Sequence, residues 1–219
     1  NSAISLIQPG EVDWIKVFSK AKLFHVSGIT PALSASAAET TAVAMKAAKE
    51  AGCLVSYDLN YRKKLWSPGE AKSCQEPLMK LVDIITTTEE DTGIVFGIRE
   101  DNYQKVAEAL AKTFGFKAVA ITLREDLSVW KNNWTAIAYA DGKIYSDRTY
   151  TVEIVDRVGA GDSFTAGFIY GYLKGGAEQG VKYGNALSAL KHTIPGDFNW
   201  STLEEVEAQI KGTGLRISR

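Results

Sequence analysis

Three observations predict an α/β fold built on a mostly parallel sheet with helices on both faces. Short apolar runs rich in β-branched residues alternate with longer stretches of helical periodicity. Capping residues and glycines sit where one kind of segment gives way to the other. A composition of 45% hydrophobic, 23% charged and 10% aromatic residues is that of a globular chain able to bury a core.

The elements follow in order. The run Lys22-Leu23-Phe24-His25-Val26-Ser27 predicts a buried strand, ended by Gly28. Ala37, Thr41, Ala44, Ala48 and Ala51 recur at helical spacing over 34–51 and predict a small-residue helix face lying close on a sheet. Gly52 is placed to end that helix in a left-handed conformation. A strand over 53–57 runs out into Asp58-Leu59-Asn60-Tyr61-Arg62. Ser67-Pro68-Gly69-Glu70 predicts a capped helix start. A strand is expected over 81–85, with 86–90 capping the next helix. Tyr103, Ala107, Leu110 and Phe114 mark an amphipathic helix closed by Gly115, and a strand follows over 117–123.

The rhythm then changes. Short strands over 128–131, 134–139 and 143–145 surround Asn132-Asn133 and Asp141-Gly142, which read as hairpin turns. From Gly161 onward the pattern is helical, with helices near 161–174, 178–193 and 202–211. No repeat or low-complexity linker divides the chain, so residues 1–219 read as a single domain.

Charge and composition exclude several function classes. Twenty-five Lys and Arg balance 26 Asp and Glu, leaving a net charge of -1 and no field suited to nucleic acid or anionic lipid. No window reaches the ~20 apolar residues of a membrane span. No leader pattern is seen, and Cys53 and Cys74 fit neither a zinc nor a redox spacing, so a cytoplasmic location is expected.

The strongest chemical signal is Asp156-Arg157-Val158-Gly159-Ala160-Gly161-Asp162-Ser163-Phe164. Glycines at the start of an apolar helix let backbone N–H groups approach a ligand, and the helix dipole favours an anion there. Asp162 is placed to accept a proton from an attacking hydroxyl. The same residues also suit a glycine-softened turn with Asp162 as a helix cap. No G-x-x-x-x-G-K-[ST] occurs, and Phe164 stands where a dinucleotide fingerprint needs Gly or Ala.

The stretch from Asp156 through Asp162 to Gly167 resembles the C-terminal signature of the ribokinase-like (pfkB) carbohydrate kinases, and the resemblance covers essentially the whole chain. Within that family it is similar to the 2-keto-3-deoxygluconate kinases, through 24–30, through Tyr57-Asp58-Leu59-Asn60-Tyr61-Arg62 with Leu65-Trp66, and through Pro195-Gly196-Asp197-Phe198-Asn199-Trp200.

The resemblance implies ATP-dependent phosphorylation of a sugar-acid hydroxyl, with 2-keto-3-deoxygluconate going to its 6-phosphate. It makes Asp162 the base and Gly159, Ala160 and Gly161 the anion hole. Thr122, Leu123 and Arg124 fall where relatives have a Thr-Leu-Gly turn against the nucleotide; Arg124 replaces that glycine. Asn185 matches an adenine-side asparagine, against the alternative of an exposed helical Asn. Magnesium is expected with ATP. Many relatives carry Asn-x-x-Glu where this chain has Thr88-Glu89-Glu90-Asp91, which leaves Asp91 as the magnesium candidate or as part of a capped helix start. Asp156 is the candidate for a monovalent cation such as K+. Arg62 would bind the substrate carboxylate in a planar fork, against the alternative that Arg62-Lys63-Lys64 is a solvated basic run. The partners implied are a sugar acid and ATP, without nucleic acid or membrane; a homo-oligomer is compatible. Relatives have an N-terminal portion with central strands and a β-lid that is missing here, so the chain reads as the C-terminal two thirds of such a kinase. The rival readings are a fructokinase- or ribokinase-type neutral-sugar kinase and a noncatalytic nucleotide-binding remnant.

Overall fold

The computed structural model describes residues 2–212. Seven strands and eight α-helices among the described residues give the expected α/β class. The chain divides into two compact units, 1–119 and 120–219.

The first unit opens with a 3-10 turn (Ala3–Leu6) and α1 (Trp14–Phe18), neither of which the sequence pattern announces. Then come β1 (Leu23–Ser27), the short α2 (Ile29–Ala32), α3 (Ala35–Glu50) and β2 (Leu54–Asp58). After them follow α4 (Pro68–Leu78), β3 (Ile84–Thr87), α5 (Glu89–Val95) and α6 (Tyr103–Phe114). β1 pairs with β2 and β2 with β3, both parallel. Ser34, read as the start of the helical stretch, is the cap of α3; the other local signals act as read, and Gly52 beyond that helix has φ 78°. Ser67 and Glu70 form a reciprocal capping box on α4. Gly115 ends α6 at φ 77°. The helix face Ala37, Thr41, Ala44 and Ala48 is buried as its spacing requires.

β3 lies three residues later than expected, because residues 79–81 wind into a 3-10 turn and Asp83 is taken by side-chain bonding. The Asp83 carboxylate accepts from Lys49 Nζ at 2.6 Å, from the Val55 N–H at 2.9 Å and from Lys117 Nζ at 3.0 Å. Burial pushes this carboxyl up, but those hydrogen bonds outweigh it and hold the group below its usual value.

β4 (Ala118–Ser128) starts in the first unit and continues in the second, five residues beyond the expected end. The second unit continues with β5 (Lys131–Ala140), β6 (Lys143–Ser146), β7 (Tyr150–Glu153), α7 (Ala160–Lys191) and α8 (Leu203–Lys211). β5 pairs antiparallel with β6 and with β7. Asp141 (φ 51°) and Gly142 (φ 74°) make the expected tight turn.

The turn expected at Asn132-Asn133 is not there. Val129 and Trp130 form it, and the asparagines lie inside β5. The register aligns Trp134 with Tyr150 and Asn132 with Val152. With Trp134 buried against Phe164 and His192, the period of two buries Asn132 on the same face. α7 is broken at Gly175 and Gly176, giving the two helices read near 161–174 and 178–193. Its halves pack closely. A side chain at Gly167 would collide with the Tyr183 carbonyl, and one at Gly171 would run into the Gln179 carbonyl. No described helix is long and apolar enough to cross a membrane.

Candidate active site

In the first unit the residues of interest leave the carboxyl end of β2, the edge where ligands bind in open α/β sheets. Tyr57 anchors it. Its ring is fully buried, its hydroxyl donates to Gln75 Oε1 at 2.8 Å, and burial pushes the phenol well above its usual value. Gly28, after β1, lies so close that a Cβ there would meet the Leu59 carbonyl and Gln75 Oε1. Asn60 then turns the chain at φ 40°, a conformation asparagine tolerates better than most residues. Its Nδ2 donates to Ser27 Oγ at 3.1 Å, tying the loop to the end of β1.

Tyr61 is fixed at both ends, its N–H on Asp91 Oδ2 at 3.3 Å and its hydroxyl on the Trp66 carbonyl at 3.2 Å. Arg62 follows on this braced loop. It is exposed; its carbonyl accepts the Leu65 N–H at 2.9 Å, and its guanidinium makes no hydrogen bond or ion pair among the described residues. Lys63 and Lys64 are exposed beside it.

Asp91 sits on the first turn of α5, where Thr88 caps the helix by accepting the Asp91 N–H at 3.0 Å. Burial holds the Asp91 carboxyl above its usual value. The Tyr61 N–H and the Arg62 charge pull it down, and Glu90 adds to the rise. Among the described residues no cluster of three or more His, Cys, Asp or Glu could hold a metal. A single carboxylate such as Asp91 suits a magnesium ion carried mainly by phosphate oxygens and water.

In the second unit the glycine motif opens α7. Gly159 is the helix cap at φ 82°, which refutes the alternative of Asp162 as cap. A Cβ on Gly159 would meet the Asp197 carbonyl, so only glycine fits. The Ala160 N–H is taken by the Arg157 carbonyl at 3.3 Å and the Ser163 N–H by the Gly159 carbonyl at 2.9 Å. The N–H groups of Gly161 and Asp162 have no partner among the described residues. Asp162 is exposed on this first turn. Behind it, Ser188 Oγ donates to the Ala160 carbonyl at 2.9 Å, and Asn199 Nδ2 donates to Ser163 Oγ at 3.1 Å. This is a rigid rim with free donors and one exposed carboxylate, the arrangement expected of an anion hole with a base.

Asp156 accepts the Val158 N–H on one oxygen and the Gly196 N–H on the other, both at 2.9 Å. These bonds hold its carboxyl below the usual value, with the Lys191 charge adding to them. Thr122, Leu123 and Arg124 are strand residues of β4, so the chain does not turn there as the resemblance implied. Arg124 and Arg157 both pair with Asp126, at 3.4 and 3.3 Å. Asn185 is fully buried, and neither its Nδ2 nor its Oδ1 has a partner; the alternative of an exposed helical Asn is wrong.

Three residues escaped the sequence reading. Asn132 is buried with both side-chain atoms unpaired, like Asn185. Asn199 braces the glycine rim. Lys191 is fully buried. A signal for Lys191 was available, since it extends the buried stripe Val181, Gly184, Ser188 at helical spacing.

The model of the pfkB family of carbohydrate kinases matches residues 5–202. The 2-dehydro-3-deoxygalactonokinase of Haloferax volcanii is 35% identical over 100% of this chain and 66% of that protein. The 2-dehydro-3-deoxygluconokinase of Bacillus subtilis is 33% identical over 91% of this chain and 59% of that protein. The crystal structure of 2-dehydro-3-deoxygluconokinase from Thermotoga maritima superposes with a TM-score of 0.93 at 41% identity, covering 96% of this chain and 66% of that one. The chain thus spans about two thirds or less of the length of these relatives. A glycine-capped helix with free donors and an exposed carboxylate, a family match across nearly the whole chain and a shared fold lead to one conclusion: the chain belongs to the pfkB family of carbohydrate kinases.

Proposed function

We propose that the protein transfers the γ-phosphoryl group of ATP to the 6-hydroxyl of 2-keto-3-deoxygluconate, and that both units belong to one catalytic domain. The observation that carries the reading is the glycine-capped start of α7, with unpaired N–H groups at Gly161 and Asp162 and an exposed Asp162 carboxylate. Asp162 takes the proton of the hydroxyl as its oxygen forms the bond to the γ-phosphorus and the bond to ADP breaks. The free N–H groups of Gly161 and Asp162 stabilise the charge on the transferred group; that of Ala160, bonded to the Arg157 carbonyl, does not contribute. Asn185 is a nucleotide contact. A buried amide left unpaired costs about 1–3 kcal/mol, which an adenine edge would offset. The strand residues Thr122, Leu123 and Arg124 belong to the same nucleotide side. Asp91 is the residue that would hold a magnesium ion carried by ATP, and such an ion would neutralise phosphate charge.

Arg62 selects the substrate. Its guanidinium is exposed and without a hydrogen bond, acting on Asp91 only through its charge, on a loop braced by Asn60 and Tyr61 that can offer it to a substrate carboxylate. The gluconate and galactonate names of the relatives describe epimers that share this carboxylate, so Arg62 separates acids from neutral sugars and leaves the epimers to other contacts. The two free cysteines fit a cytoplasmic location.

Steady-state kinetics of the complete protein with both epimers and with fructose test this. Arg62→Ala should lower kcat/KM for the acids by roughly 30- to 700-fold, the equivalent of about 2–4 kcal/mol. Fructose turnover should hardly change, and Arg62→Lys should recover only part of the loss. Equal losses on acid and fructose would make Arg62 structural. A wild-type preference for fructose would put a neutral-sugar kinase in place of this reading, and no turnover at all would favour the noncatalytic remnant.

A further inference from the structure

Lys191, on the last turn of α7, has no solvent exposure. Burying an ammonium is costly unless the charge is compensated. Yet its one hydrogen bond goes to a neutral group, the Ile194 carbonyl at 2.9 Å, and none of the ion pairs among the described residues includes it. Its surroundings show what the charge does. Its Cε lies 3.3 Å from the place a Cβ on Gly159 would occupy, directly under the turn that caps α7. Its field reaches Asp156, whose two oxygens hold the Val158 and Gly196 N–H groups. The 194–197 loop is therefore fastened twice, by Lys191 on the Ile194 carbonyl and by Asp156 on the Gly196 N–H. The carbonyl of Asp197, at the end of that loop, abuts Gly159.

We infer that the Lys191 ammonium is a built-in cation that fixes the 194–197 loop against the Gly159 turn, and that it replaces a bound monovalent metal ion at Asp156. A K+ ion does not fit beside this ammonium. Both Asp156 oxygens already accept N–H bonds, the Ile194 carbonyl is taken by Lys191, and a second positive charge at Asp156 would be repelled by the Lys191 ammonium, whose field already reaches that carboxylate. Lys191 touches no reacting atom in this arrangement and is a positioning residue. Its effect on turnover rests on the kinase reading above; the exclusion of K+ does not.

The test compares the complete protein in KCl and in tetramethylammonium chloride at one ionic strength, by thermal melting and by steady-state kinetics. Wild type should melt at the same temperature in both salts, and its kcat should differ by less than about twofold. Lys191→Met keeps the stem and removes the charge. It should lose on the order of 10- to 100-fold in kcat, as misplacement of a catalytic turn does, with the KM for ATP little changed. Lys191→Arg should retain part of the rate. A melting temperature that rises in K+ for wild type overturns the inference, as does strong K+ activation. A Lys191→Met enzyme that melts lower but turns over normally shows a merely structural lysine and overturns it too. If Lys191→Met fails to fold, the wild-type salt comparison still decides. Melting reads ion binding even if no sugar is phosphorylated, so failure of the kinase reading is separable.

Discussion

The loop after β2 carries a cation close to a carboxylate and the turn that opens α7 has one packed beneath it, from the last turn of that helix, and the two are used in opposite ways. The Arg62 guanidinium is exposed and unbonded, on a loop whose neighbours Asn60 and Tyr61 supply the rigidity. Lys191 is fully buried and spends its hydrogen bond on the backbone that supports the Gly159 turn. The carboxylates follow suit. Burial raises the carboxyl of Asp91, whereas two backbone N–H groups lower that of Asp156. A charge left in water is available to a ligand. A charge taken out of water must be spent inside the protein, and there it shapes the backbone.

The largest expected effect bears on the exposed side of this contrast. Asp162→Asn should lower kcat by at least about a hundredfold, since general bases contribute about 10²–10⁴. Because Asp162 is exposed, stability should change by no more than about 1 kcal/mol, through its interaction with the helix dipole. Near-normal turnover would remove the base assignment.

Next comes the rigidity of the β2 loop. Gly28→Ala forces a methyl group into the Leu59 carbonyl and Gln75, and should destabilise the protein by about 2–4 kcal/mol in a urea melt. An unchanged midpoint would show that the loop gives way easily, and the contrast between a braced Arg62 and a solvated basic run would collapse.

Asp83 sharpens the same contrast away from the site, as a buried carboxylate with two partly exposed lysines. Asp83→Asn should cost roughly 2 kcal/mol, less than a fully buried pair because the lysines remain hydrated. Its folded carboxyl is depressed, so this stability is present above the unfolded value near pH 3.9 and is lost as pH falls through the folded one. The gap between wild type and variant should be constant near neutrality and narrow below about pH 4; a gap that narrows between pH 8 and 6 would contradict the assignment.

The smallest effect concerns His192. Burial holds its imidazole below the usual value, and Lys191, Arg157 and Arg124 act in the same direction against the Ser188 carbonyl. The unfolded chain therefore takes up a proton, near pH 6.5 and below, that the folded chain refuses, and stability falls as pH drops. His192→Asn should flatten the slope of melting temperature against pH between about 6.5 and 5. An unaltered slope would move the effect to other groups.

Sequence alone determined whatever depends on a few neighbouring residues. The caps at Ser67 and Thr88, the left-handed exits at Gly52 and Gly115, and the Asp141-Gly142 turn were all legible, because each bonds or bends within about four positions of itself. So was the glycine motif with Asp162, since a helix start is a local event. Tertiary structure decided the rest. The hairpin turn moved from Asn132-Asn133 to Val129-Trp130 because burying Trp134 against Phe164 and His192 set the register of β5. β3 started after Asp83 because Lys49, Val55 and Lys117, distant in sequence, converge on that carboxylate. The complete burial of Asn185, read from the sequence as an adenine-side residue, and of Lys191 came only with the packing that encloses them. Whether a charge faces water or another segment is settled by elements far along the chain, and no local pattern encodes that.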